Sequence, residues 1–164
     1  MTNGNNLHKV VLLDEIDLQI LNILNEDASI TGTDMAEKVG LSIPATNKRI
    51  AKLIDAGVIE RYTIRLDPDR IGKPLVAFIL VILESVAFFD FFYDFISAEQ
   101  DVLECYATTG EFDYIMKVCA KDMADLEEKL MGLKRVKGVV KTNTMVSLCT
   151  HKAPQGIMPD PISK

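Results

Sequence analysis

Two stretches of this 164-residue chain carry groups able to do chemistry. The first is TTGEFDYIMKV, residues 108–118. Thr108 and Thr109 bring hydroxyls, Glu111 and Asp113 bring carboxylates for a cation, and Gly110 sits where one strand would turn into the next. A glycine there frees the backbone, and neighbouring amides can form an anion-binding nest. An α-amino acid offers the matching pair, a carboxylate and an ammonium. The same residues also compose an ordinary acidic β-turn, and by themselves they do not separate the two readings.

The second stretch is GLSIPATNKRIAKLIDAGVIERY, Gly40 to Tyr62, in a chain whose formal net charge is -6. From Lys48 to Arg65 the balance reverses, with Lys48, Arg49, Lys52, Arg61 and Arg65 against Asp55 and Glu60. Ser42 and the free amides of a helix's first turn can take a phosphate. Lys48 or Arg49 can reach guanine O6/N7 or a phosphate, and Asn47 can read adenine. Ala45 and Thr46 lie in the same first turns, with Lys52 one turn on. Arg61 and Arg65 follow on a segment placed to grip backbone. Charges alone would also fit a solvated helix face. The cap, the glycine turn, the spacing and the basic segment beyond together favour duplex DNA. The acidic total argues only against a protein basic all over; a local footprint is what DNA requires.

Other chemistries find little support. The two histidines, His8 and His151, stand near the ends. Cys105, Cys119 and Cys149 form no C-x-x-C pair, and an odd count without a secretory leader fits free thiols in a reducing cytoplasm. No phosphate-loop or dinucleotide glycine pattern occurs, nor any metal-ligand cluster. The expectation is therefore no catalytic residue, no metal, no cofactor and no enzyme. The run from Leu75 to Ile96 is apolar but carries Glu84, Asp90 and Asp94, each costing about 2.5–3.5 kcal/mol at mid-bilayer. No membrane association is expected.

These groups need elements to position them. Residues 1–10 read as a flexible lead-in. A helix starts at Asp14, its N-cap, with Asp17 at the third helical position and Ile16, Ile20, Leu21 and Leu24 on one face. A second helix covers about 31–39, with Met35, Ala36 and Val39 inward, and Gly40 stops it. Ser42 caps a third, with Pro44 in its first turn and Ile43, Ile50, Leu53 and Ile54 facing the core. Three helices with a Gly40-Leu41 turn make a helix-turn-helix, whose second helix enters the major groove. VIERYTIRL then alternates as a strand, a wing closing a domain over 11–65. Asp67-Pro68 opens a linker, 66–74.

Residues 75–150 read strand (75–83), helix (VAFFDFFYDFISAEQ), strand (101–109), turn, strand (113–120), helix (DMADLEEKLMGL, Met123, Leu126 and Leu130 inward) and strand (139–149). That order, βαββαβ, makes the fold class α+β: a winged helix-turn-helix followed by a ferredoxin-like α/β sandwich. Both helices would cover one sheet face, met by Leu75, Ala77, Ile79, Val81 and Leu83 or by Val76, Phe78, Leu80 and Ile82. The other set would face water. Burying roughly 800 Å² per partner at about 25 cal/mol per Å² gains on the order of 20 kcal/mol before association costs, so a homodimer through the open face is expected. In the aromatic helix a core needs Phe88, Phe92, Phe95 and Ile96, which leaves Phe89, Phe91 and Tyr93 over, for internal packing or for an added assembly contact. Residues 151–164 hold three prolines and read as an extended tail.

In these residues the chain resembles the Lrp/AsnC, or feast/famine, family of transcription regulators. The likeness lies in LDEIDLQILNIL (13–24), GLS (40–42), RIAKLIDAGVIERY (49–62), LDPDRIG (66–72), TGEFDYIMKV (109–118) and GVVKTNT (138–144), and covers about 11–150. The resemblance implies a DNA-binding head, a ligand-sensing α/β domain, dimers through the sheets that commonly build octamers, and an amino-acid effector held between dimers. By position, Ala107, Thr109, Gly110, Glu111, Phe112, Asp113 and Tyr114 would form one wall of that site. Met123 and Thr144, Met145, Val146 and Ser147 would come from the same or a neighbouring chain. Asp113 would take the effector's ammonium and the amides near Gly110 its carboxylate. One departure is Ala28-Ser29 where family members often carry Gly-Arg. An amino-acid sensor or assembly protein that does not grip DNA is the alternative.

Overall fold

A computed structural model describes residues 10–152 and 156–159. The chain forms two compact units, one running to Ile64 and taking in residues 156–159, the other spanning Arg65–Lys152.

The first unit holds α1 (Glu15–Glu26), α2 (Gly32–Val39) and α3 (Ile43–Asp55). Each start is fixed by a short polar side chain that satisfies amides the helix leaves free. Asp14 accepts from the Ile16 and Asp17 amides at 3.0 and 2.9 Å, and Asp17 accepts in turn from the Asp14 amide at 3.3 Å, closing a capping box. Thr31 caps α2 through the Asp34 amide, and Ser42 caps α3 through the Ala45 amide. Gly40 turns the chain with φ of 67°, a left-handed conformation that glycine takes without a Cβ penalty. Ile20, Met35, Val39 and Leu53 form the buried centre, with Ile16, Leu24 and Ile50 around it.

Three expectations fail here. Ile43 and Ile54 do not face the core; they are 43% and 44% exposed. No strand follows α3. Residues 61–66 are exposed and outside any strand, and Tyr62, Ile64 and Leu66 are all at least half exposed. Alternation marks a strand only when a neighbour supplies ladder hydrogen bonds, and this segment has none. Of the tail, residues 151–152 and 156–159 are described; Met158 Sδ lies 3.0 Å from Asn25 Nδ2 on α1.

The second unit holds β1 (Leu75–Leu83), a 3₁₀ turn (Val86–Phe88), α4 (Phe89–Ala98), β2 (Val102–Ala107), β3 (Tyr114–Ala120), α5 (Met123–Lys134) and β4 (Val139–Val146). The antiparallel sheet runs β2-β3-β1-β4. Each helical crossover skips one strand position, so α4 and α5 share a face. Ile79, Val81 and Leu83 meet Phe92 and Leu133 there, and Met116 and Val118 complete the core. Val76, Phe78, Leu80 and Ile82 occupy the opposite, helix-free face, in register with Cys119, Lys117 and Ile115 of β3.

The aromatic helix resolves differently from its pattern. Phe92 is fully buried, and Phe89 is no surplus: it packs on the core and stacks on Tyr114 at 5.9 Å. Phe91 and Tyr93 are exposed, and Lys137 Nζ lies 5.2 Å from the Phe91 ring and 5.5 Å from Phe88. Met123 opens α5 at 61% exposed rather than inward, because its Cβ sits on the turn before the first core contact, Leu126. Just after the linker, Lys73 pairs with Asp101, which is 8% exposed and also bonded to Lys129 at 2.8 Å. Burial works against the ionised Asp101, but Lys129 and Lys73 outweigh it and hold its carboxyl at about 2. No helix among the described residues is long and apolar enough to cross a membrane.

Candidate functional site

The first candidate site is the outer face of α3. One turn in four positions goes to the core: Thr46 is 0% exposed, Leu53 is buried, and Arg49 and Ile50 lie between them. Thr46 donates its hydroxyl to Ser42 O at 3.1 Å and cannot meet a duplex. Arg49 also leaves the candidate set. Its Nη1 lies 2.6 Å from Asp14 Oδ2 and 2.8 Å from Asp17 Oδ1, so it clamps α3 to the capping box of α1. Asp17 is 3% exposed and Arg49 is its cationic partner. The pattern misled because a basic residue between outward lysines looks outward itself; the carboxylates that claim it lie more than 30 residues away.

What remains open is a coherent surface. Ser42, Asn47, Lys48 and Lys52 are exposed, Ala45 is half-buried, and Arg61 and Arg65 are exposed beyond the helix. Ile43 and Pro44 join them at the first turn, two exposed apolar residues that the sequence reading had placed elsewhere. Such side chains suit contact with a thymine methyl, while the lysines suit phosphates or guanine.

The Arg49 clamp carries a stability prediction. The Asp17 amide, and then Arg49, hold the Asp14 carboxyl below its usual range. A depressed folded-state value contributes stability above the unfolded value, about 3.9, and loses it as pH falls through the folded one. Arg49→Ala should therefore lower the melting temperature of the helical unit by several degrees at pH 7. The difference from wild type should shrink below about pH 4. Circular-dichroism melts across pH measure both; an unchanged melt would mean the clamp is not formed.

The second candidate site is the β2–β3 turn. Thr108 N–H donates to Asp113 O at 2.8 Å, and its hydroxyl to Phe112 O at 2.6 Å. Asp113 N–H donates to Val81 O at 3.0 Å, and its Oδ2 accepts from the Leu83 amide at 2.8 Å. Asp113 thus closes the turn against β1 and keeps one carboxylate oxygen toward solvent. Between these ties, the amides of Thr109, Gly110, Glu111 and Phe112 donate to no group among the described residues. Gly110 has φ of 120°. Glu111 is engaged by Lys141 at 2.8 Å, and Lys141 Nζ also lies 5.2 Å from the Phe112 ring.

Beside this turn, on the helix-covered side, lies a groove of about 460 Å³. Val86, Phe89, Tyr93 and Ile96 supply its helical wall, and Cys105, Ala107 and Tyr114 its strand wall. Burial raises the thiol of Cys105 and, as the leading cause, the phenol of Tyr114. Five of these seven residues were not anticipated; the signal was the unexplained aromatic richness of 88–93. The remaining expected wall is elsewhere. Thr144, Met145 and Val146 pair with Ile79, Phe78 and Ala77, and Ser147 N–H donates to Val76 O, whereas Tyr114 pairs with Val81. From Val81 to Val76 the strand advances about 17 Å. One chain does not bring 144–147 to the turn.

Residues 76–157 match the family description Lrp/AsnC ligand binding domain, and 13–60 match Winged helix-turn-helix DNA-binding. The chain belongs to the Lrp/AsnC family. Its relatives are transcriptional regulators, not enzymes. It is 34% identical to the transcriptional regulator AzlB of Bacillus subtilis, over 87% of this chain and 92% of that one. It is 37% identical to the leucine-responsive regulatory protein of Klebsiella pneumoniae, over 82% and 84%. Among solved structures, a transcriptional regulator of Neisseria meningitidis in complex with L-Met superposes with a TM-score of 0.83 at 29% identity, covering 87% and 94%. This Lrp/AsnC protein therefore pairs a helix-turn-helix head with a ligand-binding α/β unit.

Proposed function

We propose that this regulator docks α3 in the major groove and that an α-amino acid held at the 108–113 turn modulates its DNA binding or assembly. Ser42, Ala45, Asn47, Lys48 and Lys52, with Ile43 and Pro44, form the docking face, and Arg61 and Arg65 take flanking phosphates. The observation that carries the head's role is a capped helix whose outward side chains are cationic while its one buried-facing arginine is consumed internally. The turn's role rests on a run of free amides beside a carboxylate with one open oxygen. The L-Met complex of the Neisseria protein supports an amino acid as the effector class.

The helix-free sheet face, with Val76, Phe78, Leu80, Ile82 and Ile115, pairs with its copy in a two-fold dimer, which sets two recognition helices on half-sites about one turn apart. Octamers are the further assembly in this reading, and neighbouring chains would supply Thr144–Ser147 to the turn. Binding to duplexes from its own promoter region, followed by fluorescence anisotropy, should weaken steeply with salt, since phosphate contacts release counterions. Salt-independent or absent binding would favour the sensor without a DNA role, a reading that the internal use of Arg49 keeps in play.

A further inference from the structure

The groove beside the turn is unused by anything above. Its mouth is set by Ala107 and Tyr114, the last residue of β2 and the first of β3, which face each other across the ladder. The turn they flank, 108–113, holds the four free amides and the open oxygen of Asp113. No charged side chain lines the groove. Three aromatic rings, Phe89, Tyr93 and Tyr114, form most of its wall, and Phe89 is locked by its stack on Tyr114.

We propose that the groove receives the side chain of the effector, and that the effector is an α-amino acid with a bulky apolar side chain, branched aliphatic or aromatic. This rests on the amino-acid reading of the turn. The α-carboxylate meets the amides of residues 109–112, the ammonium meets Asp113, and the side chain passes between Ala107 and Tyr114 into the groove. The volume, about 460 Å³, falls in the range of small-ligand sites and leaves room for the largest natural side chains. A charged side chain would lose its hydration there and gain no partner, so lysine and glutamate are excluded. Alanine is too short to reach the aromatic walls. Each added methylene in an apolar pocket contributes about tenfold or more in discrimination.

The test is a thermal-shift and calorimetric panel on the full-length protein with leucine, methionine, phenylalanine, alanine, lysine and glutamate. Bulky apolar amino acids should stabilise the protein and bind at least about 10-fold more tightly than alanine, with no response to lysine or glutamate. Ala107→Phe, which fills the groove, should abolish that preference. Should Ala107→Phe fold poorly, Tyr93→Ala, at a half-exposed rim position, should weaken leucine and phenylalanine binding about 10-fold. Binding of lysine or glutamate in preference to leucine would overturn the groove proposal and leave amino-acid sensing standing. Bulky apolar binding unaffected by both variants would also overturn it, since the side chain would then lie elsewhere. Silence from the whole panel would remove the amino-acid reading itself.

Discussion

Replacing Gly138 with alanine will melt the α/β unit about 10 °C or more below the wild type. Gly138 opens the approach to β4 with φ of 90°, a left-handed conformation that alanine adopts only with strain. Its missing side chain is also filled space. A Cβ built there would fall inside the van der Waals envelope of the Phe88 Cβ and Cγ, and those atoms are not the free end of a flexible chain. Moving Phe88 would disturb its neighbours, Phe91 at 6.5 Å between centroids and Lys137 over the ring. Gly138 O accepts the Glu84 amide at 2.7 Å, so the backbone cannot easily shift instead. Backbone strain of about 1–3 kcal/mol and overpacking of about 1–3 kcal/mol add to roughly 2–6 kcal/mol. Calorimetry should resolve the loss in the α/β transition. A variant with Phe88→Ala beside Gly138→Ala should recover the overpacking part but not the strain. A melt equal to wild type in Gly138→Ala would mean that Phe88 is not packed over this position.

Reversing both outward lysines of α3, Lys48→Glu with Lys52→Glu, should lower affinity for operator duplexes at least about 100-fold at low salt and flatten the salt slope by about two. Both side chains are exposed, so the fold and the assembly mass should stay as in wild type. The charge change acts where the helix meets the phosphates, and two cation contacts become repulsions. Arg49→Ala gives the contrasting pattern: lower stability with a smaller effect on the salt slope, because Arg49 is committed to Asp14 and Asp17. Anisotropy titrations over a salt series separate the two. Unaltered affinity in the double lysine variant would show that α3 is not the recognition helix.

Most elements of this protein were legible as pattern. Asp14, Thr31, Ser42 and Asp122 announce helix starts because capping is local, settled within three residues. The two phases of β1 separate into Ala77, Ile79, Val81 and Leu83 against Val76, Phe78, Leu80 and Ile82 because a strand's side chains alternate strictly. The 108–118 motif was visible as a turn with carboxylates at its sides. The false strand at 58–66 shows the limit of this reasoning, since alternation was present and a pairing partner was not.

By itself the sequence determined what depends on near neighbours: five α-helices by their caps and apolar spacing, the strand phases, the Gly40 turn, and the family motifs. Only the tertiary structure decided which side chains were already spoken for. Arg49 faces the acidic cap of α1, Glu111 faces Lys141, Phe89 faces Tyr114, and Ala107 and Tyr114 open onto a groove walled by a distant helix. A charge or a ring takes its role from whatever lies within about 4–6 Å of it, and across a fold that neighbour comes from tens of residues away.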